Sequence, residues 1–178
     1  MNIYSSSVIS ISASVHIHNI GGDIREVLTK YVRFHLEGKC SKDGYIKPGS
    51  VNVLSHSSGV ITAGVHILFT VVFECLVCFP VDGMRIRCTA VNITKAGIRA
   101  EITDDVSADG SPVASPLVIF VARDHYYNDA QFSEVAEGDS IEVLVIGQRY
   151  ELNDAYISVI GRLATLDADA PETIRDNK

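Results

Sequence analysis

Basic charge is scarce in this sequence of 178 residues: 15 lysines and arginines stand against 22 aspartates and glutamates, a formal net charge of −7. Such a chain cannot supply the broad positive field that dominates non-specific binding to duplex DNA, so any contact with nucleic acid is expected to be local, weak or helped by partners. The deficit is uneven. Residues 1–82 carry six basic and six acidic side chains, and the remainder carries nine and sixteen. Long apolar runs are also missing: the most apolar stretch, Val65 to Pro80, is punctuated by His66, Thr70 and Glu74, which suits a buried strand rather than a membrane helix. With no basic-plus-apolar segment at its start, the chain is expected to be soluble and intracellular, without a membrane partner. The four cysteines do not make a disulfide framework in such a chain. Only Cys75 and Cys78 have metal-like spacing, but residues three apart on an extended strand project from opposite faces, and no second ligand pair accompanies them. There is no Ser/His/Asp or Cys/His arrangement, phosphate loop or dinucleotide fingerprint. Asp104, Asp105 and Asp109 lack the glycine and glutamate spacing of a calcium loop. No catalysis, cofactor or bound metal is expected.

What is present is ample apolar content, 47%, enough for two small packed domains. From Ile9 to Ile17 the chain alternates strictly, with Ile9, Ile11, Ala13, Val15 and Ile17 on one face and Ser10, Ser12, Ser14 and His16 on the other. That period predicts a half-buried strand. His16 and His18 fall on one face of it but lack a third ligand, so a solvent-facing or interface pair is expected rather than a metal site. After Gly21-Gly22, Asp23 followed by Glu26 resembles a capping box for a helix that turns Ile24, Val27, Leu28, Tyr31, Val32 and Leu36 toward a core and stops at Gly38. The turn Ser41-Lys42-Asp43-Gly44 precedes two strand candidates, Tyr45 to Leu54 and Val60 to Cys78. A strand, a helix and then strands able to cover that helix make a compact α+β layer.

A seam follows at Phe79-Pro80-Val81-Asp82-Gly83. Beyond it, Gly83 to Ile93 and Ala96 to Ile102 read as a hairpin, Leu117 to Val121 as a third strand, 124–132 as a short helix or turn, and Ser140 to Ile146 and Ala155 to Leu163 as two more strands. Three strands, a helical link and two strands is the order of a five-stranded OB barrel. The expected division is 1–80, 81–166 and an acidic tail, 167–178, whose composition predicts fraying.

OB barrels hold single-stranded nucleic acid with cationic side chains along the phosphates and aromatic platforms under the bases. Arg85, Arg87, Lys95 and Arg99 cluster in the first hairpin, Phe120 and Arg123 end the third strand, His125, Tyr126 and Tyr127 follow, and Arg149 and Tyr150 top the fourth. Each residue taken singly has a plainer reading, as a solvated arginine or an aromatic plug at a barrel end. As a set they favour an RNA surface, kept weak by twelve acidic residues between Gly83 and Leu166.

The order of these modules resembles the stalk subunit of multi-subunit DNA-directed RNA polymerases, the family of the seventh subunit of eukaryotic polymerase II and its archaeal counterpart. The resemblance runs over nearly the whole chain. It rests on Leu36-Glu37-Gly38-Lys39-Cys40 after the helix, the Asp43-Gly44-Tyr45-Ile46 turn and strand, Phe73-Glu74-Cys75-Leu76-Val77-Cys78-Phe79-Pro80 running into Asp82-Gly83, and the barrel opening from Val91 to Ala100. It implies an N-terminal tip domain docking on the polymerase core, against the largest subunits and the small subunit at the clamp base, with Lys42, Gly44 and Tyr45 in the docking tip. It implies a C-terminal barrel of the ribosomal S-one type facing nascent RNA, with Lys95, Arg99, Phe120, Arg123 and His125 around that face. It further implies a non-catalytic role and a helical partner resembling the fourth subunit. The sequence departs from the family at Ile98, where an aromatic often lies, and in the third strand, which has no histidine. The length and the start Met1-Asn2-Ile3-Tyr4 suit a polymerase of a large DNA virus as well as a cellular one. The corresponding locations are a virion or cytoplasmic viral factory, or a nucleus. The competing reading is a free-standing OB-fold RNA-binding accessory protein.

Overall fold

The computed structural model describes residues 3–62, 64–102, 114–123, 132 and 134–164. The Ser/Ile alternation forms β1 (Tyr4–His16), which starts at Tyr4 rather than Ile9 because the serines before Ile9 continue its ladder to β6 (His66–Cys78). The register runs unbroken from Tyr4 opposite Cys78 to His16 opposite His66. Ile9, Ala13 and Val15 lie buried beside Phe69, Val71 and Phe73 on one face, and Ser6, Ser10, Ser12 and Ser14 lie on the other. Ile17 departs from the expected strand. It lies 48% exposed in the short turn Ile17–Asn19, where His16 Nδ1 accepts the His18 N–H at 3.2 Å and bends the chain.

Helix α1 (Ile24–Leu36) covers the apolar face of this sheet. Asp23 caps it by accepting the Arg25 N–H at 3.0 Å, while Glu26 pairs forward with Lys30 at 2.8 Å instead of closing a capping box. Leu28 and Val32 are fully buried, and Ile24, Val27, Tyr31 and Leu36 pack around them. This is the stripe that the 3.6-residue period predicts.

The expected strand from Tyr45 to Leu54 is divided. β2 (Cys40–Ser41) and β3 (Gly44–Ile46) form a small hairpin, and β4 (Asn52–His56) begins only after Pro48 and a left-handed Gly49 (φ 75°) have turned the chain. Proline lacks the N–H that a ladder needs. The stretch from Val60 is likewise split, into β5 (Val60–Ile61) and β6. β6 is therefore a spine: β1 pairs along one edge, and β3, β4 and β5 share the other.

The second half is a closed five-stranded mixed barrel of β7 (Arg85–Ile93), β8 (Gly97–Glu101), β9 (Leu117–Ala122), β10 (Ser140–Arg149) and β11 (Ile157–Leu163). β9 and β11 run parallel, and every other neighbouring pair is antiparallel. This order is compatible with an OB fold. Ile86, Ile98, Leu117, Ile119 and Ile157 fill the interior. Register shifts in β7 and β10 skip Val91 and Ile146, which turn outward and let long strands bend around a small barrel. The expected helix or turn over 124–132 lies outside the described residues apart from Phe132, which is buried in the barrel cluster.

The halves share one core. Tyr4, Cys40, Tyr45 and Cys78 project from the sheet into the same cluster as the barrel interior. Main-chain bonds reinforce the contact: Cys40 N–H donates to Asp154 O at 2.8 Å, and Asn153 N–H donates to Cys40 O at 2.9 Å. Asn153 is the one non-glycine residue among those described with positive φ, at 70°. Tyr150 adds a hydroxyl bond to Lys42 O at 3.3 Å and an edge contact with Phe79.

Candidate nucleic-acid interface

On a barrel wall alternate side chains point outward, and register decides which of them meet. β8 and β9 place Arg99 opposite Phe120, with the Thr94-Lys95-Ala96 turn at one end, where Arg123 N–H donates to Ala96 O at 3.0 Å. β11 places Ile160, 53% exposed, on the other side of Phe120. Phe120 is itself 38% exposed, an aromatic surface with a guanidinium on one flank and an aliphatic side chain on the other. A Cβ on Gly97 would meet the Phe120 ring at 2.9 Å as well as the Val121 carbonyl, so the glycine leaves room for the ring to lie over the hairpin.

Both arginines of this wall are already engaged. Arg99 makes a 2.7 Å ion pair with Glu101 on its own strand, and the Arg123 guanidinium lies 5.2 Å from the Phe132 ring centroid. Any anion approaching Arg99 would therefore compete with Glu101 for it. His125, Tyr126 and Tyr127 lie outside the described residues.

Three predicted residues are elsewhere. The first half of β7 pairs with β10, which places Arg85 within 3.8 Å of Glu142 and sets Arg87 opposite that same glutamate. Arg149 ends β10, 3.7 Å from Glu151. Alternation puts Arg85 and Arg87 on one face of their strand, but it does not reveal that this part of β7 turns toward β10.

Of the residues assigned to the docking tip, Tyr45 is 2% exposed in the cluster shared with the barrel, and Gly44 is buried against Val77 and Cys78 of β6. Gly44 has φ 122°, and a Cβ there would meet Cys78 O at 2.5 Å and Val77 Cγ1 at 2.9 Å. Lys42 alone of the three presents its side chain outward.

Cys75 and Cys78 belong to opposite clusters, the first under α1 and the second against the barrel. They cannot close on one ion. Burial pushes the Cys75 thiol up to about 11 and the Cys88 thiol to about 12, and burial followed by the nearby Asp154 pushes Cys40 to about 11. These thiols pack as small hydrophobes. His16 and His18 stack at 5.0 Å, but His18 sits on the turn beyond β1, and the third ring in contact, His66, meets His16 edge-on at 5.2 Å. Among the described residues no group of three or more His, Cys, Asp or Glu side chains is arranged to hold a metal ion, and no helix is long and apolar enough to cross a membrane. Asp104, Asp105 and Asp109 lie outside the described residues. Comparison of the sequence with protein-family models and with curated proteins finds no match in either.

Proposed function

We propose that this protein is a non-catalytic stalk subunit of a DNA-directed RNA polymerase, in which the sheet-and-helix half docks on the core and the barrel guides nascent RNA. The observation that carries the RNA part is the exposed Phe120 ring, with Arg99 opposite it and Lys95 and Arg123 at the adjoining turn. Every base has a π face, so one stacking platform with a few cations binds single strands without reading sequence. The barrel in this reading is of the S-one type, and its acidic balance holds affinity low enough for a moving transcript to slide past. The shared core between the halves supports the docking part, since a barrel fixed to its base transmits force. A tip bound more tightly by a closed clamp than by an open one shifts that equilibrium toward closure. Bond chemistry stays with the magnesium-holding carboxylates of the largest subunits. A helical partner resembling the fourth subunit would complete the stalk.

The test is affinity purification of the tagged chain from its native source, with mass spectrometry of what accompanies it. Stoichiometric recovery of the two largest polymerase subunits is the expected result. Recovery of RNA without polymerase would overturn this reading in favour of a free-standing RNA-binding accessory protein.

A further inference from the structure

β1 is an edge strand thirteen residues long, and among the described residues it pairs only with β6. Edges in folded proteins are normally blunted by lysine, proline, a bulge or a short length, because a bare row of N–H and C=O groups recruits another strand. Tyr4–His16 has none of these guards: it contains no proline and no Asp, Glu, Lys or Arg, and its ladder to β6 is free of register shifts. Beside its Val15 end, between the strand and α1, lies a groove of about 410 Å³ lined by Val15, Val27, Lys30, Tyr31 and Phe34 among others. Phe34 is 80% exposed there. Beside its Ser7–Ser10 segment lies a second cleft of about 290 Å³, with Lys42 and Asp43 on its wall.

We propose that this edge is a homodimer interface, in which β1 of a second copy adds antiparallel to β1 about a two-fold axis at Ser10. The sequence is self-complementary in that register. Ile9 falls opposite Ile11 twice, Ser7 opposite Ala13, Ser6 opposite Ser14 and Val8 opposite Ser12. Residues under α1 therefore meet residues under α1, and serine-face residues meet serine-face residues. No like charges meet along the strand pair. In that register the Ser7–Ser10 segment, with its cleft, faces Ser10–Ala13 of the other copy on both sides of the axis, and Val15, beside the groove, faces Ser5. β1 spans about 44 Å, and with sheet and helix layers about 10 Å apart, the exposed flank is roughly 15–20 Å deep, of the order of the ~800 Å² per partner found in stable interfaces. The proposal rests on the fold alone and is independent of the RNA reading.

The test uses the full chain in analytical ultracentrifugation over a range of micromolar concentrations, with three variants at exposed serines. The expected result is a reversible dimer that Ser10→Lys weakens at least tenfold, since it sets two ammonium groups against each other at the axis. Ser10→Cys should form an intermolecular disulfide under mild oxidation, because its symmetry mate is itself. Ser14→Cys, whose partner is Ser6, should not. All four native cysteines are buried, so the new thiol reports alone. A monomer at every concentration would overturn the proposal. So would a dimer that ignores Ser10→Lys and leaves Ser10→Cys unlinked, or an edge found occupied by an extended segment of a different protein.

Discussion

At Phe120 the side chain is held in place yet offers its face to solvent, because Gly97 leaves space for the ring and Arg99 stands opposite. Replacing it with alanine should weaken binding to a short single-stranded RNA by about 1–3 kcal/mol, the worth of one stacked base. Fluorescence anisotropy would measure the loss, and the thermal midpoint should stay near that of the parent. An unchanged affinity would move the RNA surface away from β8 and β9. The cysteines carry the opposite kind of prediction. Thiols raised to about 11 or 12 in the fold, against an ordinary 9.0, keep their protons longer when folded than when unfolded. The folded state therefore binds more protons above pH 9, and stability is retained below that pH and lost as pH rises toward 11 and beyond. Urea titrations from pH 7 to 11 should show that decline, and native-state alkylation at pH 8 should leave all four thiols unmodified. Strand parity already separates Cys75 from Cys78 in the sequence, whereas the burial of Cys40 and Cys88 is visible only in the fold. Parity could not tell that Arg99 would be engaged by Glu101.

Among elements, β6 matters most because it carries two sets of partners. Phe73 is fully buried under α1, with Ile9 on one side and Val53 on the other, whereas Leu68 on the opposite face is 37% exposed. Phe73→Ala should cost about 3–5 kcal/mol through lost burial and the cavity left behind, while Leu68→Ala should cost less than about 1 kcal/mol. Chemical denaturation of the two variants would read the difference, and equal losses would mean that the serine face is covered. Most elements were legible in the sequence: the period-two alternation of β1, the apolar stripe of α1 and the five barrel strands follow from local pattern. Boundaries were less so. Pro48 divides an apparent strand because it has no N–H to donate, and Ile17 leaves the core because a histidine ring caps the chain just before it.

For the whole molecule, the governing fact is that Tyr4, Cys40, Tyr45 and Cys78 from the sheet share a core with the barrel. Heat or denaturant should therefore unfold both halves in one transition, observed as coincident curves for secondary structure and tyrosine fluorescence. Gly44→Ala, which forces a Cβ toward the Cys78 carbonyl at a strained φ, should lower that transition by about 1–3 kcal/mol without splitting it. Two separated transitions would mean that the halves are independent modules and would remove the lever from the proposed stalk. The two-part order, the helix face and the barrel strands are legible in the local pattern of the chain, because these depend on the spacing of apolar residues along a few turns or strand pairs. Tertiary contacts decided instead that Gly44 and Tyr45 are buried, that Arg85, Arg87 and Arg149 lie apart from Phe120, and that among the described residues β1 pairs with β6 alone. Each of these depends on which distant strands become neighbours, and pairing between strands remote in sequence leaves no mark in the local pattern of either one.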